Sequence, residues 1–228
     1  MSISKTSETY NSLKNDLLNG SYQPGEQLRI DAISNALDVS KGAVREALAR
    51  LTSDGLVNNT PQKGFLVTPV SSDDLVDLTE ARIELERRCL ELAIEKGDIL
   101  WEGRILSAYH LLSNTPIEAE SGGVNPIWTE RHDAFHDSLI SACQSKWRLR
   151  LRAVTYLQAE RYRRMTHPKT LGRRDVDAEH KAIMEAVLGK KTRLASELME
   201  QHLTTTMEFI LASGLFTPKS QAMRAANR

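Results

Sequence analysis

The sequence predicts a mainly α protein, with an N-terminal winged helix-turn-helix that includes a small β wing and a C-terminal all-helical bundle of about six helices. Two patterns support this fold class. Residues 40–51 join a helix N-cap to an apolar stripe and to cations that avoid the stripe. From residue 71 onward, β-branched runs disappear and apolar residues recur at helical spacing. We therefore expect one domain over residues 1–70, a second over residues 71–216 and a polar tail over residues 217–228.

The helix that begins after Ser40 is predicted to bury one face and to expose cations on another. Its apolar positions follow the i, i+3, i+4, i+7 spacing of a buried face: Val44, Ala47, Leu48 and Leu51. Lys41 and Arg45 are four residues apart and share a different face, and Arg50 adds a third cation. Residues 31–37 form a shorter predicted helix upstream, joined through a tight turn. This arrangement predicts a helix-turn-helix whose second helix enters a groove of double-stranded DNA.

Two short apolar runs, at residues 56–57 and 65–67, flank a polar loop after this helix. Short strands around a turn-rich loop predict a β-hairpin, which would form the wing. Lys63 and Gly64 fall at its tip, where a cation stands beside a residue that lets the backbone approach phosphate closely. We therefore predict five DNA-contacting positions: Lys41, Arg45, Arg50, Lys63 and Gly64.

The charge of the first domain does not by itself support DNA binding. Residues 1–70 contain seven Lys or Arg and seven Asp or Glu, so the predicted domain is neutral. Exposed cations on a helix are usually only solvated, which is the alternative interpretation of each position. Within residues 40–50, however, three cations outnumber one anion. A neutral domain predicts modest non-specific affinity, so dimerisation would have to supply part of the binding.

Four segments of the first domain carry a resemblance to a known family: residues 22–28, 39–48, 55–57 and 64–67. They resemble the N-terminal domain of GntR-type bacterial transcription regulators, which usually carry Ser-Arg-Thr-Pro-Val-Arg-Glu-Ala-Leu in the second segment. Lys41 replaces the first Arg of that motif, and Arg45 matches the second. Gly42 and Ala43 replace the Thr-Pro pair. The resemblance implies a sequence-specific DNA-binding protein.

The overall composition favours a soluble, intracellular protein. The chain has 30 basic and 30 acidic side chains, and no apolar run approaches the roughly 18 residues that span a bilayer. Its polar start lacks a signal-peptide core. Cys89 and Cys143 are isolated, without the spacing of a metal-binding pair or of a disulfide framework. We expect a reduced, cytoplasmic protein with no membrane partner.

Four histidines are the second informative feature of the chain. Six helices are predicted in the second domain, at residues 73–96, 101–113, 127–143, 147–165, 174–189 and 191–213. His132 and His136 are four residues apart on one of these helices, so both rings project from the same face. His180 and His202 lie on two others, and three helices of one bundle can converge four rings on one point. Such a His pair is also often a surface coincidence, and His180 could be a helix cap or a hydrogen-bonded core residue.

Residues 133–136, 179–187 and 195–203 are similar to the FCD effector domain of the FadR-like branch of GntR regulators. That domain typically binds a divalent ion through an Asp, four residues before the first His, and three His. His136, His180 and His202 match the three His positions, and His132 occupies the Asp position. A neutral imidazole in place of a carboxylate makes the site one charge more positive. It favours Zn²⁺ or Ni²⁺ over Mn²⁺ as the bound ion.

Arg82 is predicted on the apolar stripe of the helix that runs from Asp73 to Lys96. The apolar positions of that stripe are Leu75, Leu78, Leu85, Cys89 and Leu92. A buried arginine needs a partner, and Glu86, four residues on, is the simplest one. The functional interpretation is that Arg82 binds a ligand carboxylate bidentately, and the family pattern Arg-x-x-x-Glu allows both roles. Further candidates for the pocket wall are Tyr156, Arg161 and Arg164.

The two resemblances together imply a homodimeric transcription regulator, more often a repressor than an activator in this family. It would bind a double-stranded DNA operator, a divalent metal ion and a small carboxylate effector, including dicarboxylates. The overall character of the sequence, including residues 128–132, looks closest to regulators of carbon starvation and of glutarate or related dicarboxylate use.

Two alternatives remain open at this point. A metal-dependent hydrolase or oxygenase that acts on small carboxylic acids could use the four histidines for a catalytic ion and Glu179 as its general base. Against it, the chain has no HExxH motif and no Gly-rich phosphate loop. A purely structural ion that only links the helices of the bundle is the second alternative.

Overall fold

The structure is a computed structural model of the 228-residue chain, and it describes residues 5–120, 122–166 and 174–216. Within these ranges the chain forms nine helices and two strands. In chain order they are α1 Lys5–Leu18, α2 Ile30–Leu37, α3 Lys41–Ser53, β1 Val57–Thr60, β2 Gly64–Val67, α4 Ser72–Lys96, α5 Ile99–Ser113, α6 Pro126–Ile140, α7 Lys146–Met165, α8 Val176–Leu188 and α9 Thr192–Ala212. The predicted fold class, mainly α with a small β wing, is confirmed. The predicted polar tail, residues 217–228, lies outside the described residues.

The described residues divide into two compact units. The first contains residues 5–74 together with residues 156–165 of α7. The second contains residues 75–155, residue 166 and residues 174–216. The sequence alone places a single boundary at residue 70, because it carries no signal that part of a distant helix joins the first unit.

The first unit is built around α3. The Oγ atom of Ser40 accepts a hydrogen bond from the backbone N–H of Ala43 at 3.2 Å and caps the helix. The residues of its apolar stripe are completely buried and pack with leucines of α1, as the spacing predicts: Val44, Ala47, Leu48 and Leu51. The turn before α3 passes through Asp38 in the left-handed conformation (φ 50°), which short polar side chains tolerate. A two-helix motif with a tight turn results.

The hairpin that follows α3 has antiparallel strands β1 and β2, with Val57 opposite Val67 and Thr60 opposite Gly64. Gly64 adopts φ 71°, a conformation that a side chain would strain, and this fixes the hairpin at its tip. The strands are longer than predicted on the loop side, because residues 58–60 and 64 also pair. This stretch is polar, so the sequence pattern predicts a loop where the structure has strand.

The second unit is a helical bundle whose core combines side chains from α4, α5, α6, α8 and α9. Three of its helices begin with a side-chain cap, from Asp98, Asn125 and Asp175. The buried face of α4 differs from the predicted stripe, because Leu78 and Leu85 are only partly buried, whereas Glu86 is completely buried. Among the described residues, every helix is either too short or too polar to qualify as a transmembrane span.

Candidate metal centre and DNA-binding surface

Lys41 and Arg45 lie on the exposed side of α3, opposite the buried stripe. The Nζ atom of Lys41 is 2.8 Å from Oδ1 of Asp31 on α2, and both side chains are largely exposed to solvent. This ion pair lowers the pKa of Asp31 and orients Lys41 along the surface of α2. The structure therefore brings Lys41 and Arg45 to one surface, as predicted, and adds an acidic neighbour to it.

Arg50 points elsewhere. The nine residues from Lys41 to Arg50 make about two and a half helical turns, which puts the two cations on opposite sides of α3. The guanidinium of Arg50 lies 4.1 Å from the centre of the Tyr10 ring, in a cation–π contact with α1. Tyr10 donates a hydrogen bond to Oδ2 of Asp54 at 2.6 Å. Burial, together with Asp54, raises the pKa of Tyr10 to about 12. Arg50 thus contributes to the packing of α1 on α3.

Lys63 and Gly64 occupy the tip of the wing, where both are exposed. The backbone carbonyl of Lys63 accepts a hydrogen bond from Nε2 of Gln27 at 2.7 Å. The backbone N–H of Lys63 donates to the carbonyl of Thr60 at 3.2 Å. These contacts hold the backbone of the tip and leave the Lys63 side chain on the surface.

The four predicted histidines converge in the second unit. His132 and His136 come from α6, His180 from α8 and His202 from α9, and all four are buried. One ring nitrogen from each lies within 4.8 Å of the others, which is the arrangement of a possible metal site. The ring centres of His132 and His136 are 4.5 Å apart, and those of His180 and His202 are 4.8 Å apart. Trp128 stacks on His132 at 4.7 Å and covers one side of the cluster.

The electrostatic surroundings keep these rings able to bind a cation. Burial, reinforced by His180 and His202, holds the pKa of His136 well below its usual value. Burial also lowers the pKa of His202. Neutral imidazoles offer nitrogen lone pairs, so the donor set fits a divalent transition-metal ion such as Zn²⁺. His132, the predicted fourth ligand, lies beside Asp133, whose Oδ1 atom is 3.8 Å from Nδ1 of His132.

Glu179, the candidate general base of an enzyme, is bound on both of its oxygens. Oε2 lies 2.7 Å from Nδ1 of His202, and Arg174 donates to Oε1 at 2.6 Å and to Oε2 at 2.5 Å. Burial alone would raise the pKa of Glu179, but the hydrogen bonds from Arg174 and His202 lower it to about 2. A carboxylate with so low a pKa is a weak proton acceptor near neutral pH.

Arg82 lies on the buried face of α4, with Nε 3.4 Å from Oε1 of Glu86. The same oxygen accepts a hydrogen bond from Nε of Arg152 at 2.9 Å, and Arg152 also pairs with Asp137. Both arginines act on His136, because after burial and the neighbouring histidines they further lower its pKa. Sequence reasoning missed Arg152, since arginines alternate along α7 and spacing singles out none of them.

The further pocket-wall candidates belong to the first unit. Arg161 donates from Nη2 to the backbone carbonyl of Thr68 at 2.5 Å, and from Nη1 to Gln158 at 3.1 Å. Arg164 pairs with Glu160 at 3.2 Å, and Tyr156 is buried. The structure therefore gives Arg161 and Arg164 contacts within the first unit.

The two parts of the chain match two family models. Residues 5–67 match the model described as bacterial regulatory proteins, gntR family, and residues 77–205 match the FCD domain. Both matches agree with the resemblances stated from the sequence.

Two relatives span nearly the whole chain. The HTH-type transcriptional regulator BphR of Paraburkholderia xenovorans (strain LB400) is 36% identical over 209 residues, which cover 91% of this chain and 85% of BphR. The HTH-type transcriptional repressor GlaR of Escherichia coli (strain K12) is 36% identical over 205 residues, which cover 88% of this chain and 93% of GlaR.

The solved structure of E. coli McbR/YncC shares the fold. It has a TM-score of 0.74 at 19% identity, covering 93% of this chain and 99% of that chain. Both family models that match this chain, and the relatives BphR and GlaR, are transcription regulators. A metal-dependent enzyme is therefore no longer supported as an alternative. The chain belongs to the GntR family of bacterial transcription regulators, in the branch with an FCD domain, and it is a DNA-binding transcription regulator, not an enzyme.

Proposed function

We propose that the chain is a repressor that works as a homodimer and releases or retains its operator in response to a small carboxylate bound near a divalent metal ion. Residues 1–70 would form the DNA-binding domain, and residues 71–216 the effector-binding and dimerisation domain. The observation that carries the proposal is the convergence of four buried histidines from three helices in the second unit. The name of GlaR, a transcriptional repressor, supports repression as the sign of regulation.

The DNA-binding role is assigned to α3 and the wing. Arg45 would contact a base edge, and Lys41 a base or a phosphate, because both extend from the exposed side of α3. Lys63 and Gly64 would contact the phosphate backbone from the tip of the wing. Arg50, packed on Tyr10, would act mainly by holding α1 against α3. A protein that binds bacterial chromosomal DNA acts in the cytoplasm.

His132, His136, His180 and His202 would hold the metal ion. Four neutral nitrogen ligands favour Zn²⁺ or Ni²⁺, since imidazole suits these ions and Mn²⁺ prefers oxygen ligands. When bound, the ion would supply positive charge for an anionic ligand. Arg82 lies close enough to the cluster to shift the pKa of His136 and would add a guanidinium for a ligand carboxylate.

Regulation requires that the effector distinguish two states of the protein. A ligand changes operator affinity only through its different affinities for the two states, typically by about 1–3 kcal/mol. We therefore expect a small carboxylate to change operator affinity by roughly five- to 150-fold and to leave non-specific DNA binding almost unchanged.

The metal and effector part is tested by thermal unfolding of the metal-free protein. Zn²⁺ or Ni²⁺ should raise the melting temperature more than Mn²⁺, because a ligand that binds only the folded state stabilises it. Mono- and dicarboxylates added to the metal-loaded protein should raise it further. His180→Ala should remove the metal response, whereas His110→Ala, at an exposed His outside the cluster, should keep it. Equal responses of the two variants to zinc would contradict the proposed site.

The DNA part is tested with operator fragments selected from genomic DNA by the purified protein. Arg45→Ala should weaken operator binding at least about tenfold, since one specific contact contributes roughly 1–3 kcal/mol. Arg104→Ala removes the same charge from an exposed position on α5 in the second unit and serves as the control. The assignment of Arg45 fails if both variants bind the operator as tightly as the wild type does.

A further inference from the structure

We propose that Glu179 is a positioning residue for the metal centre: it fixes the tautomer and orientation of His202, so that Nε2 of His202 is the nitrogen available to the ion. This inference rests on the proposed metal-binding function. It assigns a role to a carboxylate that sits beside the metal-ligand candidate His180 in sequence but contacts the ring of a different helix.

The geometry links α8 to α9 through one short hydrogen bond. Oε2 of Glu179, in the first turn of α8, is 2.7 Å from Nδ1 of His202, in the middle of α9. The His202 ring itself is buried. A contact of this length between a carboxylate and an imidazole holds the ring in one orientation. Glu179 and His180 are consecutive, so α8 would offer one ligand and support a second.

Arg174 keeps the carboxylate in place. Its Nε atom donates to Oε1 of Glu179 at 2.6 Å and its Nη2 atom to Oε2 at 2.5 Å, a two-bond fork. The same guanidinium donates from Nη1 to Oγ1 of Thr206 at 3.0 Å and from Nη2 to the backbone carbonyl of His202 at 3.1 Å. The side chain of Arg174 thus fastens Glu179 to the backbone and side chains of α9.

The chemistry of the contact sets the tautomer. A carboxylate bound by an arginine fork is ionised and can only accept hydrogen bonds, so its 2.7 Å contact requires the hydrogen on Nδ1 of His202. Nη2 of Arg174 also lies 3.3 Å from that nitrogen, but its shorter bond, at 2.5 Å, goes to Oε2 of Glu179. In a neutral imidazole the other nitrogen, Nε2, then holds the lone pair. Metal-binding histidines generally donate their second N–H to such a carboxylate, and loss of that outer partner typically costs about 10–100-fold in metal affinity.

Glu179→Gln in the full chain tests the proposal, with Glu185→Gln as the matched control. Glu185 lies on the same helix and is exposed, and its Oε1 atom is 4.0 Å from Nζ of Lys181, a long and solvent-exposed ion pair. Zinc affinity is measured by competition with a chromogenic chelator. We expect Glu179→Gln to lower it about 10–100-fold, because an amide can either accept from or donate to Nδ1 and no longer selects one tautomer. Glu185→Gln should bind zinc as the wild type does. Equal zinc affinity in the two variants would overturn the proposal.

A second measurement is made on the wild type and needs a variant only for assignment. Long-range ¹H–¹⁵N NMR of the metal-free wild type reports which ring nitrogen of His202 is protonated, with His202→Ala used for assignment. The proposal expects the hydrogen on Nδ1, and a hydrogen on Nε2 would overturn it. The two measurements also test zinc binding and the orientation of the His202 ring separately. If the wild type binds no zinc at all, the metal site fails, while the His202 tautomer still decides whether Glu179 orients the ring.

Discussion

Glu86 shows how one residue can hold charge in the interior of the second unit. Its side chain is completely buried, and its Oε1 atom contacts two guanidiniums, Arg152 at 2.9 Å and Arg82 at 3.4 Å. Buried arginines are tolerated when they are paired, and the loss of their shared anion leaves charge without compensation. Glu86 is therefore important for stability, whatever role Arg82 has toward a ligand.

Glu86→Gln should lower the free energy of unfolding by about 3 kcal/mol or more, because breaking a buried ion pair on one side is strongly destabilising. Urea denaturation followed by circular dichroism measures the change. Glu200→Gln is the control, since Glu200 pairs with Arg87 at 3.2 Å and both side chains are about half exposed. That substitution should cost less than about 1 kcal/mol. Similar losses of unfolding free energy in the two variants would show that Glu86 is not needed to neutralise the buried arginines.

Asp31 modulates the cationic surface of α3. In the proposed DNA complex it would compete with DNA for Lys41, since Oδ1 of Asp31 lies 2.8 Å from Nζ of Lys41. Asp31→Asn should tighten binding to DNA about two- to fivefold at low salt, given that exposed ion pairs contribute less than about 1 kcal/mol. Fluorescence anisotropy with labelled duplex DNA measures the effect. Asp38→Asn removes the same charge nearby and keeps a residue that tolerates φ 50°. An equal gain in both variants would indicate a general charge effect, without a specific role for the Lys41 pair.

Residue by residue, the sequence could indicate positions but not all partners. The four histidines were predicted to converge, because their spacing and helices were readable, and their ring nitrogens do lie close together. Arg152 and Arg174 could not be found in this way. Arg152 on α7 contacts Glu86 on α4, and Arg174, just before α8, contacts Thr206 and the backbone of His202 on α9. No local pattern in the sequence records contacts between residues so far apart in the chain.

Among the elements, the turn between α4 and α5 depends on Gly97. A Cβ atom on Gly97 would lie 1.9 Å from the ring of Trp101. That ring cannot easily move, because Trp101 is completely buried and its Nε1 atom donates to the carbonyl of Ser138 at 2.9 Å. The junction of the two helices therefore excludes any side chain at this position.

Gly97→Ala should lower the free energy of unfolding by about 1–3 kcal/mol, the usual cost of overpacking. Gly103→Ala is the matched control within α5, where a Cβ atom would meet open space. It should raise stability by about 0.5–1 kcal/mol, since alanine restricts the unfolded chain and favours helix. Urea denaturation measures both. Equal stabilities of the two alanine variants would mean that Trp101 can move away from residue 97.

Helix boundaries followed the sequence where a cap or breaker marked them. The predicted helix at 101–113 is Ile99–Ser113, and the one at 191–213 is Thr192–Ala212. The buried face of α4 was harder to predict, because Thr79 and Glu86 are buried there alongside Arg82 and the apolar residues. A hydrophobic pattern treats such polar residues as exposed, so the predicted buried face is shifted toward Leu78 and Leu85.

For the whole molecule, we expect affinity for DNA to come from more than one copy of the DNA-binding head, residues 1–70, as in the proposed dimer. Residues 1–70 are electrically neutral, so a single head gains little from general attraction to phosphate. Two linked heads on two half-sites bind far more tightly than one, because the second contact becomes intramolecular. Operator binding should therefore depend on the surface that joins two copies.

The N-terminal half of α7 offers a candidate for that surface. Trp147, Leu151 and Val154 follow i, i+4, i+7 spacing and are 70%, 52% and 45% exposed. Arg150 lies 5.4 Å from the Trp147 ring. A stripe of large apolar residues with a Trp and an Arg at its end has the composition of a protein interface.

Leu151→Glu should dissociate the proposed dimer and thereby weaken operator binding at least about tenfold, because a charge at the centre of an apolar interface is buried without a partner. Sedimentation equilibrium gives the mass, and gel mobility shift gives the operator affinity. Leu106→Glu on α5 is the control, since Leu106 is 50% exposed, nearly as much as Leu151. It should remain dimeric and bind the operator normally. If Leu106→Glu dissociates the dimer and Leu151→Glu does not, the contact between copies runs through α5, and the α7 stripe has another role.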